Sequence, residues 1–63
     1  MSKPRKQMSM TRDLVPVIGY GMILWYPNDS VRAVFTSNIV RIEAIGFYIV
    51  EIETENTIYE IID

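Results

Sequence analysis

Eight carboxylates, no histidine and no cysteine decide most of the chemistry open to this chain. Paired acids stand at Glu51 and Glu53, and at Glu60 and Asp63, with Glu55 between them. Glycoside hydrolysis needs two carboxyls about 5–9.5 Å apart across a cleft. A short chain with its acids on an exposed sheet builds no such cleft, so these groups are expected to solubilise rather than catalyse. Hard cations take oxygen ligands, which makes Glu51 with Glu60 the one pair suited to a weak divalent ion. Without histidine a Ser-His-Asp arrangement is impossible, and without cysteine there is neither thiolate nor disulfide. Both lysines, Lys3 and Lys6, lie near the start of the chain, far from Ser30 and Ser37 in sequence. Gly19-Tyr20-Gly21 lacks the third glycine and the helix of a dinucleotide fingerprint. No catalytic residue, cofactor or resident metal is expected, and the chain reads as a non-enzyme.

Aromatics offer a different chemistry. Tyr20, Trp25 and Tyr26 gather before Pro27. Small barrels bind single-stranded nucleic acid by stacking bases on such side chains inside a basic groove. The cations here lie elsewhere: Lys3, Arg5, Lys6 and Arg12 fall in the first twelve residues, which hold no acid. Residues 13–63 hold all eight acids against Arg32 and Arg41 alone. The chain thus reads as a basic arm on an acidic body: on the plain reading a solvated tail with ordinary solubilising acids, on the sharper one a body that repels nucleic acid and binds a basic protein surface.

Sixty-three residues make one small domain. A domain of this size buries only about 60% of its unfolded surface. With no disulfide available, self-association is the expected staple, and a dimer is favoured. The apolar content of 49% agrees. Leu14–Asn28 is uncharged and follows a basic stretch, as in a signal peptide. It is shorter than the about 20 residues a spanning helix needs, and Pro16, Gly19 and Gly21 oppose a helix. No membrane contact and a cytoplasmic location are expected.

Residues 1–12 have no periodicity and are predicted to form a disordered arm; residues 13–63 form a single β domain. Five strands are predicted there, as an antiparallel meander curled into an SH3-like or similar barrel. Strand one, from Val15 or Val17 to Tyr26, is apolar on both alternating sets, so both faces should be covered. Its glycines suggest a bend or a close backbone approach. Pro27-Asn28-Asp29-Ser30 is a turn. Strand two, Val31–Thr36, should turn Arg32 to water and Val31, Ala33 and Phe35 inward. Strand three, Ile39–Glu43, should turn Val40 and Ile42 inward. Ala44-Ile45-Gly46 fits a three-residue hairpin loop with glycine left-handed. Strand four, Phe47–Glu53, then buries Tyr48, Val50 and Ile52. Glu55-Asn56 fits a two-residue loop, with Asn56 at positive φ. It sets Ile52 opposite Tyr59 on strand five, Thr57–Ile62, and Val50 opposite Ile61. An even-length loop at Gly46 would instead turn Ile49 inward. The register also opposes Glu51 to Glu60, an unfavourable pairing of like charges that Arg41 could relieve.

Thr36-Ser37-Asn38-Ile39 and Ile52-Glu53-Thr54-Glu55-Asn56-Thr57-Ile58-Tyr59 resemble a pattern in short, mostly uncharacterised bacterial and phage β-proteins: T-S-x-[IV], then [IV]-x-T-x-N-[ST]-x-Y. The likeness spans residues 31–62 and centres on turns. It implies a shared hairpin and the setting of a small phage or mobile-element protein, and it carries over no active or binding residue. Physically, Thr54 and Thr57 flank a turn, and Thr36-Ser37 ends a strand where hydroxyls can bond the backbone.

The reading that fits best is a protein-interaction module, a small regulator or inhibitor. Its acidic face would be Glu43, Glu51, Glu53 and Glu60. Ile49, Ile58, Ile62, Tyr20 and Leu24 are the candidates for an oligomer interface. The alternative is a barrel that binds single-stranded nucleic acid through Lys3, Arg5, Lys6, Arg12, Tyr20, Trp25 and Tyr26.

Overall fold

A computed structural model describes residues 2–11 and 14–62. Their regular elements are all strands: β1 (Arg5–Met8), β2 (Ile23–Tyr26), β3 (Asp29–Phe35), β4 (Ile39–Ile45), β5 (Tyr48–Thr54) and β6 (Ile58–Ile61). The all-β expectation holds. The five-stranded meander becomes six strands in two sheets, one ordered β1-β6-β5-β4 and the other a β2-β3 ribbon. None of the described residues forms a helix long and apolar enough to cross a membrane.

The added strand is β1, drawn from residues predicted to be disordered. It runs parallel to β6, with Arg5 opposite Ile58 and Met8 opposite Ile61. Two forces hold it there. Met8 is fully buried in the core, and the cations beside it meet acids on β5 and β6. The pairing joins opposite ends of the chain, so no local pattern announces it. Arg12 and Asp63 lie outside the described residues.

The predicted first strand shortens to Ile23–Tyr26. Val15, Val17, Ile18 and Tyr20 are exposed, not covered on two faces. Tyr20 donates its amide to the Val17 carbonyl at 3.2 Å, closing a turn. Gly21 lets this segment pass close to the end of β3: a Cβ there would stand 2.4 Å from the Thr36 carbonyl oxygen.

In the ribbon the predicted facing of β3 is reversed. Leu24 opposes Val34; Leu24 is fully buried and Val34 packs against the core. Val31, Ala33 and Phe35 therefore face out. The cause is an irregularity: Tyr26 pairs with Asp29, but Trp25 pairs with Ala33, so residues 30–32 bulge from the ladder. Asp29 accepts the Val31 amide at 3.2 Å inside this bulge.

Gly46, at φ 61°, opens a two-residue turn with Phe47, where three loop residues were predicted. Left-handed glycine first and an ordinary second residue is the II′ pattern that suits hairpin twist. Ile45 consequently pairs with Tyr48, leaving Tyr48 exposed and packing Ile49 against the core. Val50 is then the extra residue of a bulge on β5, and it restores the register: Ile52 opposes Ile42 and is fully buried. Val40 is the extra residue on β4 and is half exposed, not inward. The β5–β6 hairpin follows the predicted register, with Ile52 opposite Tyr59 and Glu51 opposite Glu60. Asn56 takes no positive φ.

One core serves both sheets: Met8, Met22, Leu24, Ile39, Ile52 and Tyr59. Two seams join them. Ser9 and Trp25 exchange backbone hydrogen bonds of 2.8 and 2.9 Å. Gly19 donates to Ile39 at 2.8 Å, and Ile39 donates to Tyr20 at 3.0 Å.

Candidate functional site

Two outward faces carry the side chains that could do something. The first covers the four-stranded sheet. Strand alternation sets Arg41 and Glu43 on β4, Glu51 and Glu53 on β5, and Glu60 on β6 on one face. The four predicted acids are thus brought together. They do not form an acidic patch, because Lys3, Arg5 and Arg41 lie among them. Arg5 bridges the opposed pair, reaching Glu51 at 2.5 Å and Glu60 at 2.9 Å. Arg41 joins Glu51, and Glu53 at 3.0 Å. Lys3 donates to Glu53 at 2.7 Å and to the Thr54 carbonyl at 2.8 Å. Among the described residues Glu43 meets only Arg41, at 3.7 Å.

This network favours the charged form of each partner. Hydrogen bonds from Arg41 and Arg5 hold the Glu51 carboxyl below the usual glutamate range. Those from Lys3 and Arg41 do the same for Glu53. Arg5, held by Glu60 and Glu51, and Arg41, held by Glu51 and Glu53, are both raised. The Glu51–Glu60 ion site is therefore corrected: a guanidinium occupies the space a cation would take. The sequence flagged the clash and named Arg41 as relief; it missed Arg5. The missed signal was the unsatisfied like-charge pair itself, which calls for a second cation from the basic segment.

The second face is the outside of the ribbon. Ile23 opposes Phe35, and Trp25 opposes Ala33, on the side away from Leu24 and Val34. Phe35 is 74% exposed, and Val31, further along β3, is 85% exposed. At the ribbon's end Trp25, Tyr26 and Pro27 line a cleft of about 290 Å³ with Ser9, Met10 and Thr11. The Trp25 indole donates to the Thr11 hydroxyl at 2.9 Å, and the Arg32 guanidinium stacks 4.6 Å from the Tyr26 ring centre.

The predicted oligomer set divides. Leu24 is corrected outright, being fully buried in the core. Ile49 packs inward, Ile58 is half-buried, and Ile62 and Tyr20 are exposed. The nucleic-acid set divides too. Trp25 and Tyr26 share the cleft, Tyr20 lies apart on the seam, and Lys3 and Arg5 are spent on carboxylates. Lys6 is exposed.

Motif threonines do structural work at the corners. Thr36 Oγ1 accepts the Met22 amide at 3.1 Å and donates to the Ser37 carbonyl at 2.8 Å. Thr54 Oγ1 closes the β5–β6 turn against both backbone groups of Thr57. Fold and surface together define a small two-sheet β protein with one ion-paired face and one bare apolar face. No protein-family model, curated protein or solved structure matches the chain.

Proposed function

We propose that this protein is a non-enzymatic interaction module that docks another protein through the outside of its β2–β3 ribbon and also associates with itself. The observation that carries the reading is the ribbon's apolar outer face: Ile23, Ala33 and Phe35 exposed beside the half-buried Trp25, with Val31 next to them. Contiguous exposed apolar surface on a small protein marks an interaction site. Interface cores are depleted in charge and enriched in aromatics, as this face is. The occupant in this reading is a protein surface with its own apolar patch. The acidic docking face expected from the sequence gives way, because its carboxylates are engaged internally. The resemblance to bacterial and phage β-proteins suits a regulator or inhibitor of that partner. The two sheets would be the halves of a curled, SH3-like arrangement, an idea supported by the seams at Ser9–Trp25 and Tyr20–Ile39.

The test is a comparison of captured proteins from the native cell. The double variant Val31→Lys/Ala33→Glu leaves net charge unchanged and interrupts the apolar face. A partner held by the wild type should be lost by the variant, with far-UV circular dichroism unaltered. Equal capture by both would remove the ribbon from the proposal.

A second reading, single-stranded nucleic-acid binding, is favoured by one arrangement: Trp25 and Tyr26 in a cleft with Arg32 over the Tyr26 ring. Base stacking on such rings contributes about 1–3 kcal/mol per base. Phosphate neutralisation makes binding fall steeply with salt. Titration with a single-stranded oligonucleotide decides, since no binding at low salt ends this reading.

A further inference from the structure

β4 is an edge strand. β5 pairs along one side, and no described strand runs along the other. Among the described residues only its first is bonded there, by Ile39 to Gly19 and Tyr20. An uncovered strand of this length is a template for another chain.

The sequence of β4 says which chain. Ile39-Val40-Arg41-Ile42-Glu43-Ala44-Ile45 is chemically symmetric about Ile42. A cation precedes the centre, an anion follows it, and apolar residues flank both. We propose that two copies of the protein pair antiparallel along β4, with the two-fold axis at Ile42. Arg41 then opposes Glu43 of the second copy, twice, and Val40 opposes its Ala44. Centring the pair on Arg41 or on Glu43 would oppose like charges, which is unfavourable. Of the centres along β4, Ile42 alone sets Arg41 opposite Glu43, so charge favours that register.

Backbone direction agrees. The tight Ile45–Tyr48 closing pair points the Ile45 amide and carbonyl at β5. Alternation along β4 then aims those of Glu43 at β5 and those of Ile42 and Ala44 at the open edge. A ladder centred on Ile42 uses these groups for its central pair, and the bulge at Val40 limits it on either side.

The side chains agree as well. Among the described residues Glu43 is the least satisfied acid of its face, paired with Arg41 at 3.7 Å and with over half its side-chain surface exposed. A second Arg41 would complete it. Val40, Ile45 and Tyr48 are exposed beside the open edge. The ladder must stop where Tyr20 covers Ile39, which sets Ile45 against the exposed Tyr20 of the other copy. Such a contact uses the same patch on both molecules and closes on itself, giving a dimer and not a fibre. β3, the other edge of the ribbon, has no comparable symmetry: its charges, Asp29 and Arg32, are an odd number of positions apart and cannot face each other across a two-fold.

This interface rests on the self-association half of the proposed function, and sedimentation velocity on the full chain separates the two. The wild type should sediment at twice the 7.3 kDa chain mass. Glu43→Arg places arginine against arginine and should weaken the dimer by more than about tenfold. Arg41→Glu should do the same. Mixing the two variants should restore a dimer, since an Arg-Arg strand then faces a Glu-Glu strand. A Glu43→Arg protein that is folded by circular dichroism and dimerises like the wild type overturns the β4 interface while self-association stands. A wild type that stays monomeric overturns both. Glu43→Arg decides alone if Arg41→Glu, which also strips Glu51 and Glu53 of a partner, fails to fold.

Discussion

The two sheets of this protein treat their outer faces in opposite ways. On the four-stranded sheet, Glu51 lies against Glu60 and would repel it, yet Arg5 and Arg41 enclose Glu51 so fully that only 15% of its side-chain surface remains open. On the ribbon, Val31 and Phe35 stand largely in water. The first face is ion-paired within the chain, Glu43 least so; the second is left apolar. Exposed apolar surface is costly to leave unburied, and an ion-paired face offers a partner little net charge to read. The difference is what favours the ribbon as the proposed docking face, against what the distribution of charge along the sequence suggested.

The comparison can be broken first at the core both sheets share. Ile52 lies on the central strand β5 and is fully buried. Ile52→Ala should cost about 2–5 kcal/mol, the range for large-to-alanine changes in a core. Urea unfolding measures it. A loss under about 1 kcal/mol would mean that the shared core is not the main support of the fold. The seam comes next. Gly21→Val adds a side chain whose Cβ meets the backbone oxygen of Thr36 at 2.4 Å and the Phe35 ring at 2.8 Å. Backbone cannot swing aside as a flexible side chain can, so a cost of about 1–3 kcal/mol is expected. Thr36→Val acts at the same corner by a different route. It leaves the Met22 amide without its acceptor, at about 1–3 kcal/mol. Thermal unfolding of the two variants should show both below the wild type.

How much of this was legible depends on distance along the chain. The β5–β6 hairpin was read correctly, down to Ile52 opposite Tyr59, because a short turn and period-two alternation fix register locally. The Thr36 corner was also visible, since a hydroxyl beside a strand end competes for backbone groups. The β4–β5 hairpin was misread by one loop residue. Alternation could not show the bulge at Val50, which returns Ile52 to the core after Ile49 has already turned inward. The reversed facing of β3 has the same origin. A charged Arg32 suggested that its neighbours were buried, whereas an irregular ladder places Arg32 on the Tyr26 ring instead. β1 was out of reach, because it pairs with a strand some fifty residues away. Only the Glu51–Glu60 clash pointed to it, as a demand for a cation that Arg41 alone does not meet. The candidate sites inherited these limits: the acids were placed together correctly, but of their cations only Arg41 was.

Acid sharpens the contrast between the faces. Glu51 and Glu53 are held below their ordinary value of 4.5 by their cationic partners. Groups depressed on folding contribute stability that is fully present above the unfolded value and lost as pH falls through the folded one. Unfolding midpoints should therefore hold steady down to about the ordinary value and fall beneath it. The variant Glu51→Gln/Glu53→Gln should flatten that fall. A wild-type midpoint unchanged through the acid range would mean that the ion pairs do not hold β1 in place. Added salt should act in the same direction near neutral pH, because screening weakens exposed pairs.

The smallest effect on stability should come from the ribbon's outer face, and its smallness is informative. Val31 is 85% exposed and Ala33 is exposed beside it. Surface substitutions that break no cap, cavity or network stay within about 0.5 kcal/mol. Val31→Lys/Ala33→Glu should accordingly unfold in urea at nearly the wild-type midpoint when the protein is dilute. A face the fold needs and a face it leaves open for a partner differ at this point. A loss of several kcal/mol in the isolated chain would show that Val31 and Ala33 are covered within the fold, and the ribbon would then be as complete as the four-stranded sheet. An unchanged midpoint with a lost partner keeps the two faces distinct, one closed by the chain's own cations and the other left for a second protein.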